Sequence, residues 1–160
     1  MKSIEKSFSD NEGNHLLVAL DFYDDDYKQN VLEIPEQYAD IDVVDINIAK
    51  AFLDKPIHFS AFFRMASWLL QQFNENENAV FTYTCSTEEL ATNHLDIEPQ
   101  YYRWRLFDVL LQRMPAKTYL TTQDVNIGPE GFQSYGRAFY RTKHAPIIYI
   151  VKAHLREKYP

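Results

Sequence analysis

Phe59-Ser60-Ala61-Phe62-Phe63-Arg64-Met65-Ala66-Ser67-Trp68-Leu69-Leu70-Gln71-Gln72-Phe73, then Asn74-Glu75-Asn76-Glu77-Asn78, then Ala79-Val80-Phe81-Thr82-Tyr83-Thr84-Cys85, is the stretch that decides how this chain folds. Phe59, Phe62, Phe63, Ala66, Leu69, Leu70 and Phe73 recur at the i, i+3, i+4, i+7 spacing of one helical face, which predicts a helix over residues 58–73. The Asn/Glu run stops it with polar turn residues. Ala79 to Cys85 then reads as a short strand, with Val80, Phe81, Tyr83 and Cys85 set among Thr82 and Thr84.

Working upstream, the turn Asp10-Asn11-Glu12-Gly13-Asn14 leads into a predicted strand at residues 15–23, ended by an acidic loop, Asp24-Asp25-Asp26. Residues 41–50 alternate in part, Ile41, Val43, Val44, Ile46 and Ile48 against Asp42, Asp45 and Asn47, and predict a strand with one wet face.

Downstream, Ser86 and Glu89 have capping-box spacing, which predicts a helical turn to about Asn93. Pro99 fits the first turn of a second long helix, on which Leu106, Phe107, Leu110, Leu111 and Met114 share a face and which Pro115 closes. Residues 118–127 and 134–141 read as strands around Gly128-Pro129-Glu130-Gly131. From Pro146 a last helix is expected, although Ile147-Ile148-Tyr149-Ile150-Val151 is a β-branched run that also suits a strand. Together these elements predict an α+β fold: an antiparallel or mixed sheet of about five strands, with three main helices packed largely on one face. Residues 1–160 read as a single globular domain, without repeats or linkers.

Aromatic residues make up 15% of the chain, 11 Tyr, 11 Phe and 2 Trp. An aromatic-rich core with hydroxyls at its edge is the simpler expectation, and an aromatic-lined groove the alternative. The net charge is −7, but residues 1–98 carry 6 basic and 19 acidic side chains while residues 99–160 carry 10 and 4. Two readings fit: a basic face for an anionic partner, or two halves that pack together and partly neutralise each other. The second is preferred in one domain's length of chain. Cys85 is the sole cysteine, so no internal disulfide forms. The opening residues Met1 to Ser7 lack the apolar run of a signal peptide, and no apolar stretch approaches a bilayer span. A cytoplasmic location with no membrane association is expected.

Candidate chemistry is sparse. Cys85 precedes a capped helical turn, where a thiol pKa can fall, and His94 or His58 would be needed as base. The competing expectation is a small buried hydrophobe. His15, His58, His94, His144 and His154 have no metal-site spacing, and with one cysteine no C-x-x-C exists. Asp21, Asp24, Asp25 and Asp26 offer hard-cation ligands but read as a solvated loop, and Asp124-x-Asn126-x-Gly128 begins a calcium loop without completing it. Phosphate-loop, dinucleotide and nucleophile-elbow motifs are missing, so no cofactor is expected. Tyr101-Tyr102-Arg103-Trp104-Arg105 opens the second long helix. Arg103 and Arg105, joined by Arg137, Arg141 and Lys143, would make a basic aromatic surface suited to a polyanion. The alternative is that Arg103 and Arg105 pair with the acidic half.

Three blocks in order, Tyr83-Thr84-Cys85-Ser86, Arg103-x-Arg105-Leu106-Phe107, and Tyr135-Gly136-Arg137-Ala138-Phe139-Tyr140-Arg141 before a turn and terminal helix, resemble an uncharacterised family of short bacterial proteins. The resemblance covers about residues 58–158. This chain has Ser86 where that pattern has an acidic residue, and a longer insertion before the arginines. The resemblance implies an order of elements and a bacterial source, and no activity.

Three functions are therefore expected in descending order. The first is a non-enzymatic domain that binds another protein or a second copy of itself. The second is polyanion binding through Arg103, Arg105, Arg137, Arg141 and Lys143, against which the overall acidity argues for nucleic acid. The third is a small cysteine-dependent enzyme built on Cys85.

Overall fold

A computed structural model of the chain describes residues 2–51, 59–85, 112, 121–127 and 134–158. Strands β1 (Lys2–Ser9), β2 (His15–Phe22), β3 (Asp42–Ala51), β4 (Ala79–Cys85), β5 (Thr121–Ile127) and β6 (Ser134–Tyr140) form one sheet in the order β1-β2-β3-β4-β6-β5. Helix α1 is Asp25–Asn30, α2 is Phe59–Glu75 and α3 is Ala145–Lys158, with short 3-10 turns at Glu36–Tyr38 and Thr142–His144. The fold is α+β with a mixed sheet, as the sequence predicts.

Most neighbours are antiparallel; β3 and β4 are parallel. A parallel pair needs a crossover, and α2 lies between these two strands in the chain. The β1–β2 hairpin is closed by Asp10, whose carboxylate accepts from the backbone N–H of Glu12 at 2.9 Å and Asn14 at 3.0 Å, and from Asn14 Nδ2 at 2.9 Å. Gly13 supplies the positive φ, 87°, that this turn requires.

Both faces of the sheet are covered, and consecutive residues show it. Val44, Phe81 and Phe139 belong to one core with Phe62, Met65, Ala66, Leu69, Leu70 and Phe73 of α2. Their neighbours Val43, Val80 and Ala138 belong to a second core with Ile147, Ile148 and Val151 of α3 and Leu32, Ile34 and Ile41. Side chains alternate across a strand, so α2 and α3 lie on opposite faces, where packing largely on one face was expected. The reason is composition: doublets such as Val43-Val44 and Val80-Phe81 put apolar side chains on both sides of the central strands.

Two local differences and one agreement have equally plain causes. A sixth strand, β1, is an edge strand with mostly exposed side chains, so Phe8 is its one buried apolar residue and its periodic signal is weak. The Asp24-Asp25-Asp26 run starts α1: Asp24 is the N-cap, accepting from Tyr27 N–H at 2.8 Å, and Asp25 and Asp26 sit in the first turn. The β-branched run after Pro146 is helical, because its stripe of Ile147, Ile148 and Val151 packs on the sheet. The Ser86/Glu89 box lies outside the described residues, as does the helix from Pro99 apart from Gln112, whose backbone is helical.

Candidate functional site

Beside β1 the α2 face of the sheet opens into a cleft. The register Lys2↔Phe22, Ile4↔Leu20, Lys6↔Val18 and Phe8↔Leu16 places Lys2, Ile4, Lys6 and Phe8 on that face, because their partners lie in the α2 core. Across from them, Arg64, Ser67, Trp68 and Gln71 form a stripe at helical spacing along the flank of α2. Between Lys6, Ser7 and Phe8 at the end of β1 and this stripe lies a volume of about 470 Å³.

The floor and rim of this cleft are aromatic and basic. Phe8 and Trp68 meet with ring centroids 5.9 Å apart at 60°. Lys6 Nζ stands over both rings, 5.8 Å from Phe8 and 6.0 Å from Trp68; at the other end of β1, outside the cleft, Lys2 Nζ is 4.8 Å from the Phe22 ring. The Arg64 guanidinium donates to the Ser9 carbonyl and so ties helix to hairpin. Phe63, placed by the sequence pattern in the core stripe, is 36% exposed and lines the cleft, while Met65 is buried in its stead. Among the described residues β1 pairs on one side only, with β2, so its other edge keeps its backbone donors and acceptors outside the ladder.

The opposite face carries a polar row. Asp21 lies across from Asp45 in the β2–β3 register. Asp21 accepts from Ser3 Oγ at 2.8 Å and Asn47 Nδ2 at 2.6 Å, and Asp45 from Thr82 Oγ1 at 3.3 Å. Tyr23 also bonds Asp45; burial first, and then the Asp45 charge, push its hydroxyl far above the usual tyrosine range. It stays a neutral donor. These bonds hold the two carboxylates in the sheet.

The residues singled out by sequence go to different places. Arg103, Arg105, His58 and His94 lie outside the described residues. Arg137 is on β6, only 4% exposed. Arg141 donates to the carbonyls of Phe73 at 2.7 Å and of Asn76 and Glu77 at 3.1 Å, closing the C-terminus of α2. Lys143 is exposed on the following 3-10 turn. The three described cations are thus not one exposed surface. Cys85 ends β4 with its backbone in register with Tyr135. Its strand neighbours Phe81 and Tyr83 face the α2 core and Val80 the other, as the pleat requires. His144, 2% exposed, is bonded through Nε2 to Asn78 Oδ1 at 3.1 Å. Asp124 and Asn126 are in strand β5, not a loop.

Among the described residues, no group of three or more His, Cys, Asp or Glu side chains is placed to hold a metal ion. Nor is any helix among them long and apolar enough to cross a membrane. The sequence reading missed the cleft. Its one available signal was the flanking stripe Phe63, Arg64, Trp68, which sets aromatic rings beside a cation on the edge of the core face. No protein-family model matches the chain, and neither curated proteins nor solved structures show a significant match to it.

Proposed function

We propose that the chain is a non-enzymatic protein-interaction domain that docks its partner in the cleft between β1 and α2. The observation that carries this reading is the cleft itself: Phe63, Trp68 and Arg64, residue types enriched at interfaces, gathered beside a sheet edge that no other described strand pairs. A closed pocket would suit a small molecule; an open cleft beside a strand edge suits a polypeptide.

The test uses the protein as bait in cells of its source, with Phe63→Ser as comparison and Tyr149→Ser, on exposed α3 surface, as control. A partner found by wild-type bait is purified and its affinity measured for all three proteins. The reading expects Phe63→Ser to weaken binding about tenfold or more, as interface anchors do, and Tyr149→Ser to leave it unchanged. Equal affinity for wild type and Phe63→Ser would overturn it.

A further inference from the structure

We infer that the partner contributes an extended, acidic segment that adds as a seventh strand to the open edge of β1, an inference that rests on the cleft reading above. Strand addition is open to this edge because β1 is regular from Lys2 to Ser9 and its described ladder lies wholly on the β2 side. The charge of the edge then selects the occupant. On the α2 face an added strand meets Lys2, Ile4 and Lys6 in turn, with Arg64 across the cleft. Opposite charges across a strand pair stabilise it and like charges oppose it, so the complementary strand reads acidic, apolar, acidic at alternate positions.

A second copy of the chain fits this edge poorly. Residues opposite one another in an antiparallel pair share a face, so two β1 strands related by a two-fold axis pair even with even and odd with odd. The two longest such overlaps set Glu5 against Glu5 or Lys6 against Lys6. Lysines on an edge strand are a common guard against self-pairing of this kind. A nucleic acid would meet the same cations, but it cannot fill the strand's backbone ladder, and the chain's net charge of −7 repels it.

The probe is a blocked seven-residue peptide with glutamate at its first and fifth positions, isoleucine at its third and threonine elsewhere. Three relatives accompany it: one with lysines for the glutamates, one N-methylated at alternate amides, and a single-stranded oligonucleotide. Binding is followed by amide hydrogen exchange of residues 2–9 and by calorimetry at two salt concentrations. The inference expects the acidic peptide to slow exchange in β1, to bind more weakly at higher salt, and to lose binding on N-methylation. Lys2→Glu with Lys6→Glu, both on exposed positions, should weaken it about tenfold or more and transfer preference to the lysine peptide.

Equal binding of the N-methylated peptide, indifference to the lysine changes, binding of the oligonucleotide alone, or concentration-dependent dimerisation through β1 would each overturn strand addition. The two claims separate cleanly. If strand addition fails while the purified partner still depends on Phe63, the cleft reading stands; if the partner ignores Phe63, the cleft reading fails with it.

Discussion

The guanidinium of Arg141 lies 4.2 Å from the centroid of the Phe73 ring while donating to the carbonyl of the same residue at 2.7 Å. One side chain from the chain segment after β6 therefore closes α2, whose flank forms the wall of the cleft. Burial lowers the Arg141 pKa somewhat, and nearby Glu77 opposes that shift, so the group remains charged.

Replacing Arg141 by alanine should cost about 2 kcal/mol, the scale of hydrogen bonds to a charged donor, and lower the melting temperature by roughly 4–8 °C. Lysine should restore only part of it, having no planar fork. Thermal unfolding of the three proteins checks this. A loss of under about 0.5 kcal/mol for alanine, the range of ordinary surface changes, would show that the carbonyls find water just as well.

His144 predicts a pH dependence. Burial, then Lys143 and Arg141, lower its pKa below the ordinary value of about 6.5, while Asp40 opposes them. The unfolded chain thus takes up this proton before the folded one does. The stability that His144 contributes is complete above about pH 6.5 and is lost as pH falls through and below that value. Urea midpoints between pH 7.5 and 5.5 should fall for wild type and fall less for His144→Gln. Parallel curves would contradict the assignment.

Asp24 should act as a cap and not as part of a solvated loop. Asp24→Ala removes the acceptor for the Tyr27 N–H and should destabilise by about 1 kcal/mol, whereas Asp24→Asn should keep most of it. Chemical denaturation of the pair decides.

Each of the two cores should matter on its own account. Phe81→Ala opens the α2 core and should cost about 3–5 kcal/mol; Ile147→Ala opens the α3 core and should cost about 2–5 kcal/mol. If Ile147→Ala were nearly neutral by denaturant titration, α3 would not be a packed layer.

What the sequence carried, and what it did not, follows from burial. Helix α2 was legible because its apolar positions keep one period over most of its length, and strand β4 because Phe81, Tyr83 and Cys85 alternate with Thr82 and Thr84. β1 was not, since an edge strand exposed along most of its length needs only Phe8 and, in part, Ile4 to be apolar. The second layer was written in Val43-Val44 and Val80-Phe81, doublets that break alternation because both faces are covered. The acidic run at Asp24 hid a cap because capping and solvation use the same residues. Of the cleft only the α2 flank was legible, since Lys6 meets Trp68 only once the sheet sets β1 under α2. The sequence-level basic cluster failed for the converse reason. Arg141 is nearby in sequence to Arg137 and Lys143, but its guanidinium is engaged by the end of a helix far upstream.

The most direct measurement is amide hydrogen exchange on the complex with the purified partner. The account expects protection to appear in β1, residues 2–9, and along the exposed stripe of α2 from Phe63 to Gln71, with α3 around Tyr149 unchanged. Protection confined to α3 or to the polar row at Asp21 and Asp45, with β1 exchanging as it does alone, would contradict it.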